Sequence, residues 1–168
     1  IVVGVLPQRE GAMMMTSAMS SARMLCPSSC SIAYSTARIR AKYRIPDDAV
    51  LFLLVGSGFG RKGVPAAIEA LARLPATAHL LVVGEDRRLP RYKELTRDHG
   101  VRDRVTFAGY QADVAPCYGA ADAFVLPAIY DSFPDAAMEA LAAGLPVVTS
   151  TMSSAAELVT EHDAGFVC

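Results

Sequence analysis

The chain of 168 residues has no apolar run approaching the roughly 20 residues a membrane-crossing helix needs. It lacks a basic surplus as well. Sixteen Lys and Arg stand against 17 Asp and Glu, a formal net charge of −1, which argues against a nucleic-acid partner. Cysteine is scarce. Of Cys26, Cys30, Cys117 and Cys168 only the first two lie close together, in a Ser/Pro-rich stretch. No second Cys or His pair at short spacing completes a zinc site, so plain thiols in a reducing cytoplasm and no metal are expected. The three histidines, His79, His99 and His162, fall at a strand start, a helix end and a polar turn. Nothing near them suggests a Ser-His-Asp or Cys-His arrangement, so they read as surface residues and no nucleophile is assigned. What is present is 52% apolar residues in one domain's length, enough for a single core. The chain opens on Ile1 and ends on Cys168 straight after an apolar segment. It is expected to be a piece of a longer protein.

Residues 1–47 are irregular. Ile1 to Leu6 reads as a short strand ended by Pro7, and Gln8 to Ala33 as a long Met/Ser/Ala-rich connection without a clean period. Tyr34 to Arg44 reads as a short basic helix closed by Ile45-Pro46. From 48 to 168 strand and helix alternate. Strands are expected at Val50–Val55, His79–Val83, Val105–Ala108, Ala123–Leu126, Val147–Ser150 and Gly165–Val167. Helices are expected at Val64–Leu74, Pro90–His99, Asp113–Gly119, from Asp135 as N-cap, and from Ser154. The continuous apolar run Val50–Val55 suits a parallel strand covered on both faces. Right-handed crossovers turn this alternation into an α/β, doubly wound parallel sheet, whose ligands bind at the carboxyl ends of the strands.

Two stretches fall at those ends. Gly56-Ser57-Gly58-Phe59-Gly60-Arg61-Lys62-Gly63 is a glycine-rich turn followed by two cations, a combination that lets backbone approach a phosphate and neutralises it. Its spacing is not a P-loop. It satisfies GxGxxG, a weak signal alone, with Glu85 the one candidate for the acid that a dinucleotide site wants after the next strand. Solvated cations at a helix start are the plain alternative. The second stretch, Ala128 to Val148, sets Asp131 in a loop and Glu139 in the helix after it. A helix N-terminus holds anions, so two carboxylates beside one suit a ligand with both phosphate and hydroxyls, such as a nucleotide sugar. The plain alternative makes Asp131 a turn former and Glu139 a partner of the helix dipole. Gly109-Tyr110 ends the third strand, where Tyr110 either flanks a nucleobase or is an exposed turn aromatic. Ser154-Ala155-Ala156-Glu157 has the form of a capping box.

The segments LFLLVGSGFGRKGVPAAIEALARLP, LLVVGEDRR and VTFAGYQADVAPCYGAADAFVLPAIYDSFPDAAMEALAAGLPVVTS resemble, in order, the C-terminal domain of retaining GT-B glycosyltransferases. These are the glycosyl transferases group 1, or family 4, and the wording is nearest the lipopolysaccharide core glucosyltransferases. The resemblance covers about residues 48–168. It implies a Rossmann-like half of a GT-B enzyme that binds a nucleotide-sugar donor, UDP-linked in that group, and needs no cofactor or metal. Gly58, Arg61 and Lys62 would face the donor diphosphate, and Gly109 and Tyr110 the base. Asp131 with Ser132 and Phe133 would meet the transferred sugar, making Asp131 the candidate catalytic contact, and Glu139 would hold the ribose. The reaction implied is hexose transfer with retained configuration to an envelope glycan or glycolipid, bound mainly by an N-terminal domain. A cytoplasmic enzyme, peripheral at the inner membrane, is implied too.

Three departures bear on that reading. Pro134 stands where glycine is common, which removes a backbone N–H that could face the sugar. Ser153 and Ser154 replace glycines usual in the next loop. The family's catalytic histidine belongs to the N-terminal domain and has no counterpart here. A non-catalytic nucleotide-binding or interaction module is therefore the second reading, and a GT-B relative with other chemistry, such as an epimerase, the third.

Overall fold

The computed structural model describes residues 29–168. The strand expected at Ile1–Leu6 and most of the connection after it lie outside the described residues. Within them the chain alternates helix and strand: α1 (Ser29–Tyr43), β1 (Val50–Val55), α2 (Val64–Ala72), β2 (Ala78–Val83), α3 (Leu89–Asp98), β3 (Val105–Gly109), α4 (Ala115–Ala120), β4 (Ala123–Leu126), α5 (Asp135–Ala142), β5 (Val147–Thr149), α6 (Ala155–Glu161) and β6 (Gly165–Val167). One six-stranded sheet results, in the order β3-β2-β1-β4-β5-β6, with every pairing parallel. This is the doubly wound arrangement, and its order reverses between β1 and β4.

The strands explain why both faces are covered. Successive side chains of β1 point to opposite sides, so Leu51 and Leu53 enter one apolar cluster while Phe52 and Leu54 enter the other. The same division splits Leu81 and Val83 from Leu80 and Val82. On one face α1, α4, α5 and α6 contribute Ile39, Tyr118, Ala137, Ala140 and Val159. On the other, α2 and α3 contribute Val64, Ile68, Leu71 and Tyr92. The continuous apolar runs are therefore buried twice over, which is what parallel pairing between helix layers requires.

Several expected boundaries move. Helix α1 begins at Ser29 rather than Tyr34, because a helix anchored by the buried Ile39 and Arg40 propagates cheaply backwards through residues with no pattern of their own. The helix expected from Asp113 starts at Ala115, since the Asp113 carboxylate accepts the Ala115 N–H and makes a turn ahead of it. Helix α2 stops at Ala72, where the amides of Arg73 and Leu74 tighten to three-residue bonds.

Arg40 latches α1 to the amino ends of the strands. It is 3% exposed, and its Nη1 donates to the Pro46 and Ala49 carbonyls, each at 3.0 Å. Its Nη2 donates to the Asp122 carboxylate at 2.8 Å, and the same oxygen accepts the Leu51 N–H. Replacing Arg40 by Ala leaves a poorly solvated carboxylate and is expected to cost about 3 kcal/mol in urea unfolding, against under about 0.5 kcal/mol for the exposed Arg38→Ala.

His79 is half-buried rather than a surface residue. Burial first, then the Arg104 and Arg40 charges, hold its imidazole below the usual value, with Asp48 opposing them. The unfolded chain then binds the extra proton more readily, so stability present above pH 6.5 is lost as pH falls toward the lowered native value. Urea midpoints at pH 7 and pH 5.5 should therefore separate less in His79→Gln than in the parent protein.

Candidate functional site

The glycine-rich turn leaves β1 at its carboxyl end and doubles back on itself. The Gly58 carbonyl accepts the amides of Arg61 and Lys62 at 3.0 and 3.2 Å, which presents the two cations side by side at the start of α2. Gly63 caps that helix with φ 79°, and a Cβ placed on it would lie 1.9 Å from the Pro127 carbonyl oxygen. Only glycine permits this approach of the turn to the chain leaving β4. The contact is made firm by the Ile129 amide, which donates to the Arg61 carbonyl at 2.9 Å.

The loop after β4 thereby meets the turn after β1, at the reversal of strand order. No Lys or Arg follows Arg104 in the chain, so a cation for the acids of the β4–β6 half has to cross from the first half. Lys62 does so. Its Nζ lies 2.6 Å from Asp131 Oδ2, and Arg61 Nη1 lies 3.7 Å from Oδ1. Asp131 is 4% exposed, and a carboxylate so buried needs such a partner. Its backbone is held from the other side. The Asp131 N–H donates to the Met152 carbonyl, and the Asp131 carbonyl accepts the Ser154 N–H. The residue forms a bridge with Ser153, which is itself buried.

Ser153 and Ser154 knit this loop. Ser154 occupies the N-cap position of α6, but its Oγ donates to the Ser132 carbonyl at 3.0 Å and makes no cap bond, so the Ser-x-x-Glu pattern makes no capping box. Pro134, not Asp135, is the N-cap of α5. Its carbonyl accepts the amides of Ala137 and Met138, and the Asp135 amide is bonded to Phe133, so these first-turn donors are already engaged. A proline needs no hydrogen bond of its own there, which is why the cap shifts by one. Phe133 stands in solvent at 79% exposure.

Glu139 falls in the second turn of α5. It is bonded not to Arg61, Lys62 or Asp131 but to the buried Tyr118, whose hydroxyl donates to its Oε2 at 2.8 Å. Gly109 and Tyr110 follow β3, with Tyr110 70% exposed. Gln111 pins that loop by donating from Nε2 to the Ala108 and Tyr110 carbonyls, and Lys42 holds its Oε1 from α1. The structure thus joins Gly58, Arg61, Lys62 and Asp131 in one network, while Glu139 on α5 and Gly109 and Tyr110 after β3 take no part in it.

Glu85 is exposed, and its backbone rather than its carboxylate serves the turn: its carbonyl accepts the Gly58 N–H and its N–H meets Ser57 Oγ. Asp86 is the acid that sequence reasoning missed. One oxygen accepts the Phe59 N–H at 2.8 Å and the other the Arg88 N–H at 2.7 Å. The second bond is an Asx turn, and an Asp two residues ahead of the Arg-Leu-Pro helix start was the available signal. Gly58, Glu85, Asp86, Arg87 and Arg88 line a cleft of about 320 Å³ beside the turn. Among the described residues no group of three His, Cys, Asp or Glu is close enough to hold a metal ion.

The family model for glycosyl transferases group 1 matches residues 35–168. The chain belongs to that family. The lipopolysaccharide glucosyltransferase WaaG of Escherichia coli is 39% identical over 133 residues, which are 76% of this chain and 35% of that protein. The lipopolysaccharide core biosynthesis glycosyltransferase LpsE of Rhizobium meliloti is 37% identical over 111 residues, 66% of this chain and 32% of that protein. A crystal structure of WaaG superposes with TM-score 0.74 at 37% identity, covering 79% of this chain and 37% of that one. The fold is accordingly the Rossmann-like part of a GT-B glycosyltransferase. The chain spans about a third of the length of these relatives.

Asp86→Ala strips two amides of their acceptor and is expected to cost about 2 kcal/mol in stability. Hydrogen exchange should quicken at Phe59 and Arg88 while the amides of β4 stay as protected as before.

Proposed function

We propose that this chain is the donor-binding half of a glycosyltransferase that moves a hexose from a nucleotide sugar, UDP-linked, to an envelope glycan with retained configuration. The observation that carries the proposal is the meeting of Arg61, Lys62 and Asp131 at the order reversal, where this fold class takes its ligands. Family membership and the resemblance to enzymes named for lipopolysaccharide core synthesis supply the substrate class. The acceptor falls to a second domain, and the complete enzyme works in the cytoplasm, peripheral to the inner membrane. Among the described residues no helix is long and apolar enough to cross a membrane.

The electrostatics divide the work. Lys62 is held by Asp131, with 12% of its side chain exposed, and contributes a fixed charge. Arg61 is 54% exposed and 3.7 Å from the same acid, so it can turn its planar fork onto a diphosphate. Charge that develops on the leaving diphosphate during transfer is stabilised by these two groups without a metal. Asp131 keeps the pair in place and stands beside the transferred sugar. Ser132 and Phe133 border that sugar, Gly58 lets the diphosphate approach, Gly109 and Tyr110 flank the base, and Glu139 accepts the ribose hydroxyls.

In calorimetry on the full-length protein, Arg61→Ala is expected to weaken UDP about tenfold and UMP far less, because only UDP carries the second phosphate. Glu139→Ala should weaken both by a similar factor. Equal losses of UDP and UMP in Arg61→Ala would remove the diphosphate assignment. A full-length protein that binds UDP yet turns over no donor would favour a non-catalytic module.

A further inference from the structure

Tyr118 belongs to no motif that the function absorbed, yet it is the side chain that touches Glu139. It is 5% exposed, and its ring packs against Phe124 with centroids 6.0 Å apart, so the phenol is rooted in the core beneath α5. Its hydroxyl emerges between two groups of that helix, 2.8 Å from Glu139 Oε2 and 3.1 Å from the Ala136 carbonyl. Ala136 lies one helical turn before Glu139, so both acceptors share a face.

Glu139 is exposed, and among the described residues no ion pair includes it. A free glutamate on a helix surface spreads over many rotamers, and ordering it costs entropy at the moment of binding. A buried phenol that grips one carboxylate oxygen removes much of that cost beforehand and leaves the other oxygen to accept. Burial first, then the bond and charge of Glu139, raise the Tyr118 pKa, so the hydroxyl stays a donor throughout the physiological range. The held group is an anion and repels phosphate. Its chemistry suits neutral hydroxyls, above all a vicinal pair that can bond across a carboxylate.

We propose that Tyr118 is a positioning residue that holds Glu139 ready for the vicinal diol of a ribose, and that the Tyr118–Glu139 pair is what makes the site prefer ribonucleotides to nucleotides without those hydroxyls. The proposal rests on the donor-site reading of Glu139 and adds the residue through which that selectivity works.

The test is calorimetry on the full-length protein with UDP and 2′,3′-dideoxy-UDP, for the parent, Tyr118→Phe and Glu139→Ala. The affinity ratio of the two ligands is the readout, because a fraction of unfolded protein cancels from it. In Tyr118→Phe, which keeps the ring in the core, UDP affinity should fall about fivefold, the size of one lost hydrogen bond, with dideoxy-UDP unchanged. Glu139→Ala should abolish the preference. An unchanged ratio in Tyr118→Phe, with the preference lost in Glu139→Ala, overturns the positioning role and leaves the donor-site reading standing. An unchanged ratio in both overturns the ribose role of Glu139 itself.

Discussion

The candidate site depends on one close approach, that of Gly63 to the carbonyl of Pro127. A side chain at Gly63 would stand 1.9 Å from that oxygen, so the contact exists only because the residue has none. The approach brings the turn after β1 against the loop after β4, and the Ile129–Arg61 backbone bond closes it. A crevice opens at a reversal of strand order because the connections from the two strands there run to opposite faces of the sheet. Here they are drawn together, and the crevice between the two halves of the sheet acquires a floor with two cations and one carboxylate on it.

That floor settles why the two acids differ. Asp131 is buried and spends its charge on Lys62 within the protein, so its first duty is to fix a cation beside the crevice. Glu139 spends none of its charge on a cation among the described residues and is steered only by a neutral phenol. One carboxylate is therefore part of the scaffold, and the other stands exposed with no cation beside it among the described residues. Identical chemistry, set in different surroundings, yields two different groups.

The outer supports are of one kind: a polar side chain rooted in one element that grips the backbone or carboxylate of another. Asp86 ties the loop after β2 to the glycine-rich turn, Gln111 stiffens the loop after β3, and Ser154 ties the loop after β5 to that after β4. At the opposite edge Arg40 and Asp122 do the same for α1. The Arg40–Asp122 and Asp86–Phe59 bonds join distant parts of the chain at partly buried groups, so they are worth more than an exposed pair and are costly to leave half made, whereas the Gln111 bonds are local and the Ser154 bond is exposed.

The period of apolar residues was sufficient for the strands. Val50–Val55, Ala123–Leu126 and Gly165–Val167 lie where the apolar runs place them, and a doubly wound sheet follows from their alternation with helices, although its strand order is set only by the fold. Glycine spacing and the two cations marked the turn, and the resemblance marked the family. Local pattern failed where a polar side chain had a choice of partner. Ser154 and Glu157 have the letters of a capping box, but Ser154 bonds across to Ser132, and Asp135 yields the cap to Pro134. The pairings that build the site were out of reach of any window. Lys62 and Asp131 are 69 residues apart, Phe59 and Asp86 are 27, and Tyr118 and Glu139 are 21. Secondary structure answers to neighbours along the chain, whose periodicity is written in the sequence. The site answers to neighbours across the sheet, which exist only once β4 has paired beside β1 and Gly63 has let the two loops touch.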